Sequence, residues 1–77
     1  MSTFAKLAVR MSDREREVLD SVARGLSSKQ CAQELGIAPR TVERHIENLR
    51  TKLNARNKPH LVAKALFGGL IIGTPPS

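Results

Sequence analysis

The sequence contains no tryptophan or tyrosine, only two phenylalanines and one cysteine. Because Phe4 and Phe67 are its only aromatic side chains apart from histidine, a chain of 77 residues can build only a thin core. We therefore expect its stability to depend in part on a partner subunit. Cys31 has no second cysteine to pair with, which excludes an internal disulfide and fits a reducing cytoplasm.

Long hydrophobic runs are also missing. Residues 1–10 lack the continuous apolar stretch of a signal peptide, and Gly68 and Gly69 separate the apolar residues 65–67 from 70–72, so we expect no membrane span. Enzyme motifs are absent as well, since there is no glycine-rich phosphate loop and no Ser or Cys paired with a base. Cys31, His45 and His60 lack metal-ligand spacing. We expect neither catalysis, nor a cofactor, nor a metal.

What the sequence has in excess is positive charge. Thirteen Lys and Arg outnumber seven Asp and Glu, giving a net charge of +6 and a pI near 10.5. Phosphate is the natural counter-charge for such a surface, although composition alone fits a merely soluble basic protein equally well. Five of the cations and two Glu fall between Arg40 and Arg56, so this stretch carries +3, half of the total. The charge is concentrated, which favours nucleic acid.

Local signals predict four helices. Ser12 and Glu15 have the spacing of a capping box, as do Ser27 and Gln30. Gly25 and Gly36, each followed by an apolar residue, predict the ends of the first two helices. Pro39 begins a third helix over about 39–53, with Val42, Ile46, Leu49 and Leu53 inward, and a fourth spans about 59–67 and ends at Gly68 and Gly69.

The expected fold class is therefore all-α, a four-helix bundle containing a helix-turn-helix. We assign residues 11–72 to this domain, 1–10 to a flexible tail and 73–77 to a disordered tail. The inward positions of the second helix include Cys31, which we interpret as a core residue. Arg40, Glu43, Arg44 and Glu47 share the outer face of the third helix.

Residues 11–71 resemble the LuxR/GerE (FixJ-type) helix-turn-helix domain. The resemblance rests on REREVL at 14–19, the GLS-x-K segment at 25–29, TVERH at 41–45, Asn48, and Lys52 followed by Leu53. It implies a winged-helix-like fold without the wing, a third helix that enters the DNA major groove and a fourth helix that mediates dimerisation. Because no sensor domain precedes the module in this sequence, it looks like the freestanding members of the GerE kind, with an excised fragment as the alternative.

Two departures from the family pattern bear on function. Ala38 stands where relatives commonly have a serine cap, which costs about 1 kcal/mol of helix stability. Glu43 and Glu47 stand where relatives often carry lysine or another base-contacting residue, so the specificity of relatives does not transfer.

DNA contacts are assigned on chemistry and position. The base-contact candidates are Arg40, Glu43, Arg44 and Glu47, led by Arg44, because a guanidinium can bond both O6 and N7 of guanine. For Glu43 and Glu47 the alternative is ion pairing within the helix, with Arg44 or Arg50 as partner. The phosphate-contact candidates are Lys29, Thr41, His45, Asn48 and Lys52. His45 is equally compatible with a half-buried, locally hydrogen-bonded position.

The fourth helix is more apolar than a simple cover for the core requires, and its interface candidates are Leu61, Val62, Ala65 and Leu66. We expect a cytoplasmic homodimeric regulator of transcription that binds an inverted repeat in double-stranded DNA. A larger LuxR-type regulator and RNA polymerase are further expected partners. The alternative function is an interaction module that pairs with a larger LuxR-type regulator and antagonises it. RNA is disfavoured because aromatic residues for base stacking are scarce.

Overall fold

The computed structural model describes residues 11–67, and four helices make up most of this range. They are α1 (Asp13–Ala23), α2 (Ser28–Leu35), α3 (Pro39–Lys52) and α4 (Lys58–Phe67), and no strand occurs among residues 11–67. The predicted all-α, four-helix fold is confirmed, with the limits of α3 and α4 each displaced by one residue. The two predicted tails, the glycine stop at Gly68 and Gly69 and the domain end at residue 72 lie outside the described residues.

Both predicted capping boxes are present. The Ser12 hydroxyl accepts the Glu15 N–H at 3.0 Å, while the Ser12 N–H donates to Glu15 Oε1 at 3.0 Å. At α2 the Ser27 hydroxyl accepts the Gln30 N–H at 3.2 Å, and the Ser27 N–H donates to Gln30 Oε1 at 2.9 Å. Each helix start therefore satisfies two backbone N–H groups that would otherwise lack a partner.

The helix ends use left-handed residues. Gly25, with φ of 89°, donates to the Val22 carbonyl at 2.9 Å, and the Leu26 N–H donates to the Ser21 carbonyl at 3.2 Å. This is the Schellman arrangement predicted from the glycine and the apolar residue after it. Asn54 ends α3 in the same way with φ of 54°, and sequence analysis did not single it out.

The core has two halves, and α3 packs on all three other helices. Ile46 is partly buried and packs against both halves. Cys31 is fully buried, as predicted; its Sγ lies 3.8 Å from the Leu26 carbonyl, and burial raises the pKa of the thiol. One half contains Leu19, Leu49, Leu53, Ala55, Leu61 and Ala65, and the other contains Val18, Val22, Cys31, Ala32 and Val42.

Within residues 11–67, none of the helices combines the length and the apolar character that crossing a lipid bilayer requires.

Candidate nucleic-acid interface

The turn between α2 and α3 consists of three residues. Gly36 takes the left-handed conformation with φ of 70°, and the Ile37 N–H donates to the Ala32 carbonyl at 3.1 Å. Ala38 is the extended N-cap residue of α3 and makes no side-chain cap hydrogen bond, as its lack of an oxygen predicts. Val42 of α3 packs with Cys31 and Ala32 of α2, so the two helices form one unit around this tight turn.

The outer face of α3 is open to solvent. Arg40, Glu43, Arg44 and Glu47 are all exposed, as the helical spacing predicts. No ion pair in the part of the chain that the structure describes involves Arg40, Glu43 or Arg44. The first half of α3 therefore presents two cations and one carboxylate whose charges are not compensated by neighbours.

Glu47 differs from Glu43 because Arg50 holds it. Arg50 Nε donates to Glu47 Oε1 at 3.2 Å, and Arg50 Nη2 donates to Glu47 Oε2. These hydrogen bonds lower the pKa of Glu47 and raise the pKa of Arg50. Arg50 also donates to the Ala55 carbonyl at 3.1 Å. The predicted pairing within the helix is thus present between Glu47 and Arg50, whereas Glu43 forms no such pair.

Among the phosphate-contact candidates, Lys29, Thr41 and Asn48 are exposed. His45 is half-buried, and its Nδ1 is buried without a hydrogen-bond partner among the described residues. The half-buried position matches one of the two alternatives for His45, but its Nδ1 forms no local hydrogen bond with residues 11–67.

Lys52, the remaining phosphate-contact candidate, is exposed but forms an ion pair with a buried carboxylate of α1. Its Nζ lies 2.7 Å from Glu15 Oε1, and the Lys52 side chain is 43% exposed while that of Glu15 is 7% exposed. Burial raises the pKa of Glu15, but the hydrogen bonds from Lys52 and from the Ser12 N–H outweigh it, so the pKa falls below its ordinary value of 4.5. Sequence analysis did not foresee this contact, which joins residues 37 positions apart.

A second polar cluster joins α1 to α2. Arg24 Nη2 donates to Glu34 Oε1 at 2.6 Å and Arg24 Nε donates to Asp20 Oδ2 at 3.3 Å, while the buried Ser21 hydroxyl donates to Glu34 Oε1 at 2.7 Å. The hydrogen bonds from Arg24 and Ser21 lower the pKa of Glu34. Only the Asp20–Arg24 spacing on one helix carries a sequence signal for this cluster.

The exposed surface of α4 differs from the predicted one. Leu61 and Ala65 have no exposed surface because they pack against Leu19, Leu49 and Leu53, so their assignment to an intermolecular interface does not hold. Val62 is partly buried against the second half of the core, whereas Leu66 is 41% exposed and Phe67 is 90% exposed. Sequence analysis did not single out Phe67 as an exposed apolar residue, although an aromatic side chain at the end of an apolar helix is a usable signal.

A short helix, a three-residue turn and a longer helix with uncompensated cations on its open face define a helix-turn-helix domain of the DNA-binding class. The chain belongs to the family of bacterial regulatory proteins called the luxR family, whose GerE model matches residues 9–65. The family is a domain of DNA-binding transcription regulators rather than of enzymes.

The relatives are regulators with longer chains. The chain is 51% identical over 59 residues to the transcriptional regulatory protein FixJ of Rhizobium meliloti, covering 77% of this chain and 29% of that protein. It is 44% identical over 69 residues to FixJ of Azorhizobium caulinodans, covering 90% and 33% respectively. With the oxygen regulatory protein NreC of Staphylococcus epidermidis the identity is 43% over 56 residues, covering 73% and 26%. The chain therefore spans about a third or less of these curated relatives. No solved structure matches it significantly.

Proposed function

We propose that the domain binds specific sequences in double-stranded DNA as a homodimer and regulates transcription, with the first half of α3 in the major groove. The observation that supports this most directly is the pair of exposed arginines, Arg40 and Arg44, left without carboxylate partners among the described residues. Because both side chains extend from one face of the same helix, they are available together to base edges and phosphates of one duplex segment. This function places the domain in the bacterial cytoplasm.

The arrangement on α3 separates two kinds of contact. Arg44 is the proposed reader of guanine, and Arg40 lies one turn earlier, where it can reach a base edge or a phosphate. Glu43, which has no pairing cation, is proposed to accept from cytosine N4. Glu47 is the weaker base-contact candidate because Arg50 occupies both of its carboxylate oxygens.

Phosphate contacts are proposed for the exposed Lys29, Thr41 and Asn48, which flank the outer face of α3 and the start of α2. His45 is added because its ring lies at the border between this face and the core. Such contacts set the orientation of the protein on the duplex without choosing its sequence.

Dimerisation is proposed through the end of α4. Leu66 and Phe67 are the large hydrophobic side chains that remain exposed among residues 11–67. Burying them against the same surface of a second copy removes apolar area from water in a symmetric contact. A symmetric dimer in turn predicts an inverted-repeat DNA site.

The experiment selects binders from randomised duplex DNA with the unaltered protein, with Arg44→Ala and with Arg16→Ala. Arg16 is an exposed cation on α1 and serves as the matched control. We expect an inverted repeat, with Arg44→Ala binding about tenfold to a hundredfold more weakly and losing preference at one position of each half-site. Arg16→Ala should select the unaltered motif.

Two other outcomes contradict the proposal. Salt-sensitive binding with no selected motif would leave only electrostatic attraction to phosphate and would favour the antagonist module that pairs with a larger regulator. A motif that Arg44→Ala reads unchanged would move base recognition away from this face of α3.

A further inference from the structure

Glu15 is the one glutamate with a buried side chain among residues 11–67, and a single oxygen of it serves two helices. Its Oε1 accepts the Ser12 N–H at 3.0 Å at the start of α1 and the Lys52 ammonium at 2.7 Å in the last turn of α3. Burying a carboxylate is costly unless a cation and hydrogen bonds compensate it. Lys52 supplies that cation. The ion pair therefore ties the end of α3 to α1, and the buried carboxylate of Glu15 depends on it.

The second capping box shows that the cap itself does not require this charge. Gln30 performs the same capping function for Ser27 with an amide oxygen at 2.9 Å, and Gln30 is exposed. A neutral side chain is therefore sufficient to close such a helix start in this chain. The negative charge of Glu15 has its specific use in the contact with Lys52.

The geometry points to Glu15 as a positioning residue for DNA recognition, an inference that rests on the proposed function. We propose that Glu15 touches neither base nor phosphate. It acts through Lys52, by fixing the last turn of α3 on α1. Because α3 is a single helix from Pro39 to Lys52, the position of its last turn sets the direction in which Arg40 and Arg44 leave the surface.

The proposal predicts a change opposite in sign to simple electrostatics. Removing a carboxylate makes a cationic protein more positive and should strengthen its attraction to DNA. If Glu15 positions α3, however, Glu15→Gln should weaken binding to the selected site while leaving or raising the affinity for unrelated DNA. Glutamine retains the oxygen that caps Ser12, so the substitution removes mainly the charge that holds Lys52.

Glu17→Gln is the matched control. Glu17 lies on the same helix and its loss changes the net charge equally, but it is exposed and pairs with Arg14 of α1 at 3.1 Å. Affinity for the selected site and for unrelated DNA is measured for both variants at near-physiological ionic strength, with thermal unfolding followed in parallel. We expect Glu15→Gln to lose about tenfold for the selected site, as for one misdirected base contact, and Glu17→Gln to bind as well as or better than the unaltered protein.

Lys52→Met and the double variant Glu15→Gln/Lys52→Met complete the cycle. Since the double variant buries no unpaired charge, its stability should exceed that of Lys52→Met, but its preference for the selected site over unrelated DNA should stay as low. Loss of a phosphate contact by Lys52 would instead weaken binding to both DNAs equally. A recovery of affinity along with stability would overturn the proposal and leave Glu15 a purely structural role. So would equal binding by Glu15→Gln and Glu17→Gln. If the unaltered protein selects no motif, the proposed function fails first and this inference falls with it.

Discussion

The first half of α3 follows an alanine N-cap without a side-chain hydrogen bond and exposes Arg40 and Arg44, which form no ion pair among residues 11–67. The last two turns of α3 are instead held by several separate contacts. Those contacts are Glu47–Arg50, Arg50 to the Ala55 carbonyl, Glu15–Lys52, and Lys64 to the carbonyls of Leu53 and Asn54 at 2.9 and 3.2 Å.

The difference shows how one helix can be held rigidly at one end and still offer side chains to a ligand at the other. We call the last two turns of α3, up to Lys52, its fastened end. Polar side chains there form hydrogen bonds with one another, so few remain for a ligand to bind. We call the first half of α3, which carries Arg40, Glu43 and Arg44, its open end. These three side chains have no ion-pair partner among residues 11–67, so a DNA duplex can bind them without breaking existing pairs. The fastened end fixes the helix and leaves the open end free for the proposed DNA contacts.

The largest expected effect comes from truncating a core side chain at the fastened end of α3. Leu49 is fully buried among residues of α1 and α4, and Leu49→Ala should lower the free energy of unfolding by about 3 kcal/mol. Urea unfolding measures this loss. Asn48→Ala, at the neighbouring exposed position, is the control and should change stability by less than about 0.5 kcal/mol. Equal losses for the two variants would contradict the packing described for Leu49.

Local signals in the sequence were sufficient for the helices but not for the way they are fastened. Ser12, Ser27, Gly25 and Gly36 act on backbone groups within a few residues, so their spacing alone predicted where α1 and α2 begin and end. The Arg44 position on the open face followed from helical periodicity in the same way.

The contacts between helices carry no comparable signal. Glu15 and Lys52 are brought together only by the packing of α1 on α3, and many cations could have paired with that carboxylate. Leu61 and Ala65 were assigned to an interface because apolar periodicity identifies a buried face without telling whether the burying surface is the same chain or another one. Burial in this chain's own core resolves that ambiguity for both residues.

Acid should loosen the fastened end and leave the open end unaffected. The pKa values of Glu15 and Glu47 are lowered in the folded chain, so their contribution to stability is present above the ordinary value of 4.5 and is lost as the pH falls through the lowered values. The melting temperature should therefore fall as the pH drops below about 4.5, by less than Leu49→Ala causes.

Two variants localise that dependence. Glu15→Gln combined with Glu47→Gln should reduce the decline in melting temperature on acidification, because the carboxylates that hold Lys52 and Arg50 are gone. Glu34, whose pKa is also lowered, keeps its share of the decline. Glu43→Gln, which alters a glutamate of the open face that forms no ion pair among residues 11–67, should retain the profile of the unaltered chain. A flattened profile for Glu43→Gln would place an acid-sensitive interaction at the wrong end of α3.

The smallest expected effect comes from strengthening the open end. Ala38 already has the extended backbone of an N-cap, with φ of −74° and ψ of 146°, so Ala38→Ser adds a hydroxyl where a free helix N–H can donate to it. We expect a gain of about 1 kcal/mol in the free energy of unfolding, seen as a rise of about 5 °C in melting temperature. Ala38→Val has no oxygen to offer and should give no such gain.

Amide hydrogen exchange in the Ala38→Ser variant tests whether the two ends are independent. In the unaltered chain the amide of Arg40, in the first turn, should exchange faster than those of Leu53 and Ala55, which donate to carbonyls of Leu49 and Arg50 at 2.9 and 2.8 Å. The serine should slow exchange in the first turn only, since the two ends of a 14-residue helix lie about 20 Å apart and share no contact. Equal slowing at Leu53 would show instead that α3 opens as one unit, and then fastening its last turn would also stabilise the end that is proposed to contact DNA.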